Sequence, residues 1–192
     1  KMKIHEIPQY ILIAEDSDDD YEMTVRALKK TVKLKNDIIR VENGQQVLDF
    51  FQIQPHYNLG LMRPNQNLNS LSARLLQGID DVLSKNNFNL VIVHGDTTTS
   101  SMAALAAFHK GIKVAHVEAG LRSFDRAMPE EVNRVLTDHS SSLLLCPTPT
   151  SIENLKLEGI EKGVELIGDV MLYVLEALRP FAVQSSSIIK DL

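Results

Sequence analysis

Short β-branched runs alternate along this chain with longer stretches whose apolar residues recur every three or four positions. The short runs predict buried strands at Tyr10–Ala14, Asn36–Glu42, Leu90–Val93, Val114–Val117, Leu143–Cys146 and Val164–Ile167. The longer ones predict helices over Tyr21–Thr31, Gln45–Phe51, Asn67–Lys85, Pro129–Ser140 and Met171–Leu178. An alanine-rich helix closed by Gly111 and another opening at Thr148-Pro149 complete the series. The clearest is Asn67–Lys85, where Leu68, Leu71, Leu75, Ile79, Val82 and Leu83 keep helical spacing. Pro129–Ser140 carries Val132, Val135 and Leu136 as its apolar stripe behind a first-turn proline. Thr150 and Glu153 have capping-box spacing, Gly159 suits a C-terminal cap, and Pro180 reads as a helix stop. Pro55–Arg63, broken by proline and glycine, leaves room for at most a short edge strand.

Alternating strands and helices mean α/β architecture: an open, mostly parallel sheet with helices on both faces. The expected layout is one domain over residues 1–180, with 181–192 as a tail or the start of a linker. Leu90–Val117 forms a strand-helix-strand unit, which favours parallel strands and a right-handed crossover. Ligands of such sheets collect at the carboxyl ends of the strands, where Asp96 and Glu118 fall. Glu130-Glu131 opens the next helix, so three acidic groups converge on one edge and point to a sugar- or nucleotide-handling site. Each group also has a plain structural reading. Asp96 could cap a helix, Glu130 could favour a helix N-terminus, and His94 and His116 suit structural hydrogen bonding. Cys146, inside an apolar run, reads as a buried core thiol.

Composition narrows the classes. A formal charge of −5 argues against nucleic acid as a partner, because phosphate-backbone binding needs a basic face. The single cysteine excludes an internal disulfide and makes a reducing, cytoplasmic setting the expectation. No apolar run approaches the roughly 20 residues that span a bilayer, and no signal-peptide pattern opens the chain, so no membrane role is expected.

Six ordered motifs carry a family resemblance over about Gln46–Pro180: PHYNL from Pro55, MRPNQNL from Met62, HGDTTT from His94, HVEAGLR from His116, PEEVNRVLTD from Pro129, and Pro147-Thr148. This stretch resembles the N-terminal lobe of the non-hydrolysing UDP-N-acetylglucosamine 2-epimerases. The resemblance implies two Rossmann-like, flavodoxin-like lobes with the active site in the cleft between them. It implies an isomerase that removes the C2 proton, expels UDP, and adds UDP back with the proton delivered to the other face. Such chemistry takes carboxylates on both sides of the sugar and neither metal nor cofactor. By motif position these are Asp96, Glu118 and Glu130, with Arg134 placed to meet an anionic group of a UDP-sugar.

The first fifty residues depart from that family, which usually follows its first strand with a Gly-Thr-Arg-Pro-Glu loop. Here the strand leads into Glu15-Asp16-Ser17-Asp18-Asp19-Asp20. With VRALKKT and RVENGQQVLDF, this stretch resembles the start of a response-regulator receiver domain. The expectation is a chimera in which residues 1–50 complete the sheet of an epimerase lobe. An acidic run there would repel a diphosphate, and the second lobe lies beyond the resemblance, so the chain alone is expected to be inactive. The alternatives are a non-catalytic engineered hybrid, or a receiver-like Mg²⁺-binding module using Glu15, Asp16 and Asp96. A homodimer is a further expectation.

Overall fold

The computed structural model describes residues 11–14, 18, 22, 23, 25, 26 and 38–185. The expected helix Tyr21–Thr31, most of the receiver-like segment and the acidic loop at Glu15 and Asp16 lie largely outside these residues. The chain divides into two compact units, residues 1–56 with 175–192, and residues 57–174.

In the first unit, β1 (Ile11–Ala14) and β2 (Ile38–Val41) pair in parallel, with Ile11 opposite Ile38 and Ala14 opposite Val41. Helix α1 (Gly44–Phe50) follows, its N-cap Asn43 accepting the Gln46 N–H through the side chain. The Asn43-Gly44 turn is thus a helix entrance.

In the second unit, α2 (Leu68–Lys85) precedes a sheet of β3 (Leu90–His94), β4 (Lys113–Val117), β5 (Leu143–Cys146) and β6 (Val164–Leu166). Strand order follows chain order and every pairing is parallel. The connecting helices are α3 (Thr98–His109), α4 (Pro129–Ser140) and α5 (Pro149–Leu157), and α6 (Val170–Ser185) follows β6. Right-handed crossovers that always step the same way place α3, α4 and α5 on one face of this sheet. The α/β class with parallel strands is therefore as the alternation predicts. Among the described residues β1 and β2 bond to each other, and β3 to β6 bond to one another.

Three of the boundary readings shift. The cap of α5 is Thr148, accepting from the Ser151 N–H, rather than Thr150. Its proline, Pro149, takes the first helical position, where a missing N–H costs nothing. Pro180 does not stop α6, which runs on to Ser185; one absent N–H removes one bond of the ladder. The expected tail therefore starts later than residue 181. Pro55–Arg63 contains no strand.

The core of the second unit is built around small residues. Ala104, Ala106 and Ala107 of α3 pack with Leu83 of α2, Val93 of β3 and Val114 of β4. Alanine at these places lets α3 lie close between α2 and the sheet. A second cluster joins Leu144 and Cys146 of β5 to Leu155 of α5 and Ala119. Burial pushes the Cys146 thiol up to about 11, with the Asp138 carboxylate adding to the shift, so it stays protonated as a core group.

The backbone approach at Gly120 is tighter than any side chain permits. A Cβ on Gly120, whose φ is +77°, would lie 2.3 Å from the Ser151 carbonyl oxygen. Gly111 has φ +69° but open space around it. Gly111→Ala should therefore cost only the left-handed penalty, about 1 kcal/mol. Gly120→Ala adds a backbone collision and should cost about 3 kcal/mol or more. Chemical denaturation of the two variants measures the difference, and equal losses would contradict the close approach.

Candidate active site at the ends of β3 and β4

The carboxyl ends of β3 and β4 lie side by side, with His94 in register with Val117. Asp96 and Glu118 follow directly, so these two residues do share one edge of the sheet. Asp96 is not a helix cap: Thr97 caps α3 by accepting the Ser100 N–H at 3.1 Å. The Asp96 carboxylate is held by Arg134 of α4. Asn133, beside it on the same helix, donates to the Asp96 carbonyl at 3.0 Å. Two consecutive residues of α4 thereby fix both the backbone and the side chain of Asp96.

Glu118 sits at φ +70°, a left-handed conformation that costs a non-glycine residue roughly 1–2 kcal/mol. Strain of this kind persists where the surroundings over-determine it, and it clusters at functional sites. Its carboxylate stands 3.2 Å from the His94 ring nitrogen, in a half-exposed pair. Pairs so open to water contribute little to stability.

The two glutamates after Pro129 have opposite surroundings. Glu130 is exposed in the first turn of α4 and makes no hydrogen bond or ion pair among the described residues. Glu131 is buried, 3% exposed. It accepts from the Ser123 N–H at 2.9 Å, the Ser123 hydroxyl at 3.0 Å and the Phe124 N–H at 2.9 Å. Its other partner is Arg134, at 3.1 Å. Arg134, assigned from sequence to an anionic ligand, is thus engaged by two carboxylates of the chain itself, Asp96 and Glu131. Because α4 has no side-chain cap, its first turn is anchored by this carboxylate grip on the preceding loop.

Behind the edge lies a charged cluster that no single motif revealed. Asp138 of α4 is fully buried; its Oδ1 faces the His116 Nδ1 at 2.6 Å. Its Oδ2 accepts the Gly120 N–H at 3.1 Å and the Arg122 guanidinium at 2.7 Å. The other His116 nitrogen lies 3.0 Å from the Gly95 carbonyl. Arg122 reaches on to Glu158 with two bonds of 2.7 Å, a bidentate clasp. Burial opposes the charge of Arg122, yet its bonds to Glu158 and Asp138 override this and raise its value above the ordinary one. His116 is thus hydrogen-bonded at both ring nitrogens, and it holds the turn that carries Asp96. Asp138 and Arg122 stood inside the quoted motifs; only the fold shows them to be buried together.

No group of three or more His, Cys, Asp or Glu suited to a metal occurs among the described residues. Of the proposed Mg²⁺ ligands, Glu15 and Asp16 lie outside those residues and Asp96 is held by Arg134.

The ion pairs carry a pH dependence of definite sign. Burial raises the Glu131 value, but the Ser123 and Phe124 N–H groups, the Ser123 hydroxyl and Arg134 outweigh it and lower the net. The bond from Arg122 lowers Glu158 despite partial burial. Both contributions are complete above the unfolded carboxylate range and are lost as pH falls through the lower folded values. Stability should thus drop as pH falls below that range, and Glu131→Gln should flatten the drop while lowering stability at pH 7. Denaturation at graded pH measures both; an unchanged slope in Glu131→Gln would remove Glu131 as a source.

The chain as a whole is similar to a known family. Residues 38–191 match the family model described as UDP-N-acetylglucosamine 2-epimerase. A UDP-N-acetylglucosamine 2-epimerase homolog of Methanococcus maripaludis is 45% identical over 174 residues, covering 86% of this chain and 48% of the relative. The UDP-N-acetylglucosamine 2-epimerase of Campylobacter jejuni is 42% identical over 141 residues, covering 70% of this chain and 37% of that one. Among solved structures, the Methanocaldococcus jannaschii UDP-GlcNAc 2-epimerase in complex with UDP-GlcNAc and UDP aligns with a TM-score of 0.70 at 35% identity. That alignment covers 93% of this chain and 51% of the other. The Neisseria meningitidis enzyme bound to UDP-GlcNAc aligns at 0.65 and 31%, over 92% and 51%. The chain spans about half the length of the relatives it matches, or less. It belongs to the UDP-N-acetylglucosamine 2-epimerase family.

Proposed function

We propose that this chain supplies the N-terminal-lobe half of a UDP-GlcNAc 2-epimerase site, with Asp96, Glu118 and Glu130 as its catalytic carboxylates. The observation that carries the reading is the placement of Asp96 and a strained Glu118 on adjacent strand ends, with Asp96 held from α4. Proton removal at C2 on one face and return on the other takes two positioned carboxylates. Asp96 is immobilised by Arg134 and Asn133, which suits a group that must meet one carbon at fixed geometry. Glu130 is exposed and unengaged among the described residues. Arg134 has five N–H donors, so it can hold its two carboxylates and still meet an anionic group of the substrate.

Half of such a site binds better than it turns over. UDP-GlcNAc should bind the chain measurably by calorimetry. Asp96→Asn should weaken that binding by about tenfold, about 1.4 kcal/mol, while leaving the fold intact. Equal affinity of the two proteins, or none in either, sinks the proposal. Conversion of UDP-GlcNAc to UDP-ManNAc by these 192 residues alone is expected to be undetectable, and its detection would show the residues sufficient for catalysis.

A narrower reading concerns residues 1–37, which precede the matched range of the family model. On the acidic run from Glu15, we propose that this segment is receiver-like and that the chain is a hybrid of the two families. Millimolar Mg²⁺ should then raise the melting temperature, and an unmoved melting curve removes the metal site. The M. maripaludis match restricts the hybrid's extent: covering 86% of 192 residues, it begins no later than about residue 28.

A further inference from the structure

Helix α4 turns charge inward rather than its apolar stripe. Glu131, Thr137 and Asp138 are its buried residues, while Val132 is 37% and Leu136 51% exposed. A face of this kind is stable only where its charges balance, so the protons of the cluster around Asp138 have to be counted. His116 is the member whose count varies. It is fully buried, and both of its ring nitrogens face oxygen.

A neutral imidazole carries one N–H and one bare lone pair. The Gly95 carbonyl oxygen, 3.0 Å from Nε2, can only accept, so Nε2 holds a proton. In a neutral ring Nδ1 would then be bare, its lone pair turned on Asp138 Oδ1 at 2.6 Å. A second proton therefore lies between Nδ1 and Oδ1. Asp138 is poorly placed to keep it. Its Oδ2 accepts the Gly120 N–H at 3.1 Å and the Arg122 guanidinium at 2.7 Å, and both donors favour the ionised carboxylate. The charges agree: Arg122 and a protonated His116 offset Asp138 and Glu158, whereas a neutral His116 leaves one negative charge over. The other neighbours do not supply the balance. Val93 and Leu144 stand in register with His116 on the flanking strands, and the Cys146 thiol stays protonated. Glu118, two residues along β4, faces His94, and His139 meets Glu158 from a half-exposed position.

We propose that His116 is held as the doubly protonated imidazolium, donating to Asp138 and to the Gly95 carbonyl at once, and that it is a positioning residue for Asp96. The Gly95 carbonyl belongs to the same planar peptide as the Asp96 N–H, so this bond orients the chain as it enters Asp96. A neutral ring would serve only one of its two acceptors and would release either α4 or the turn. With no exposed surface, His116 touches no substrate, so it orients and does not react. The positioning role rests on the reading of Asp96 as a site carboxylate. The charge state does not.

NMR of the chain with isotope-labelled histidine counts the ring protons directly. His116 should show an N–H signal at both ring nitrogens at neutral pH, and a bare ring nitrogen overturns the proposal. The signals are identified by through-space contacts within β4, so this arm needs no variant to fold. Calorimetry then tests the role. His116→Gln, which cannot donate to both acceptors, should weaken UDP-GlcNAc binding by about tenfold with an unchanged circular dichroism spectrum. Combined with Asp96→Asn, it should cost no more than Asp96→Asn alone, because the two act through one group. Losses that add would show His116 acting independently of Asp96 and overturn the positioning role. A wild-type chain that binds no UDP-GlcNAc removes the reading of the site, and the positioning role with it, while the ring-proton count still decides the charge state.

Discussion

The buried carboxylate of Asp138 is the constraint on which the rest of this molecule hangs. It is the meeting point of an imidazole, a guanidinium and a backbone N–H, all within 3.1 Å. A charge withdrawn from water is tolerated only when nearly every lone pair is occupied, and here the partners come from β4 and the loop after it, while Asp138 itself stands on α4. Satisfying Asp138 therefore fixes the orientation of α4. Once that orientation is set, Glu131 and Arg134 face the loops, Asp96 has its partner, and Val132 and Leu136 are turned to the surface.

Site geometry and surface chemistry are consequences of the same buried cluster. His116 passes the constraint from Asp138 to the Gly95 carbonyl, and so to the turn that presents Asp96. Gly120 is required because its N–H must approach Asp138 while its Cα lies against the Ser151 carbonyl. Arg122 extends the cluster to Glu158 at the end of α5, tying the last crossover helix to the loop beneath the site. Breaking such a cluster at one member leaves an unpaired buried charge, which is why it behaves as a unit.

Much of this was legible in the residues. Strand positions followed from short apolar runs and helix positions from a period of 3.6, and the parallel order from strict alternation. Asp96 and Glu118 could be placed at strand ends because the apolar runs stop immediately before them. Glu130 and Glu131 could not be told apart, since adjacent residues at a helix N-terminus look alike until one is gripped by a loop. The stripe of Val132, Val135 and Leu136 was read correctly as a stripe, but periodicity cannot say which way it faces. It measures apolar spacing and is blind to a polar face that becomes buried by neutralising itself.

By itself, the sequence determined the α/β class, the extents of most elements, the acidic edge at Asp96 and Glu118 and the motifs of the epimerase family. These are local matters, set by side-chain period, turn residues and the order of elements. Tertiary structure decided the burial of Glu131 in place of Glu130, and the engagement of Arg134 by the chain's own carboxylates. It also decided the outward turn of the apolar stripe. Each of these depends on desolvation and on which charges meet across elements distant in sequence, and a linear pattern records neither.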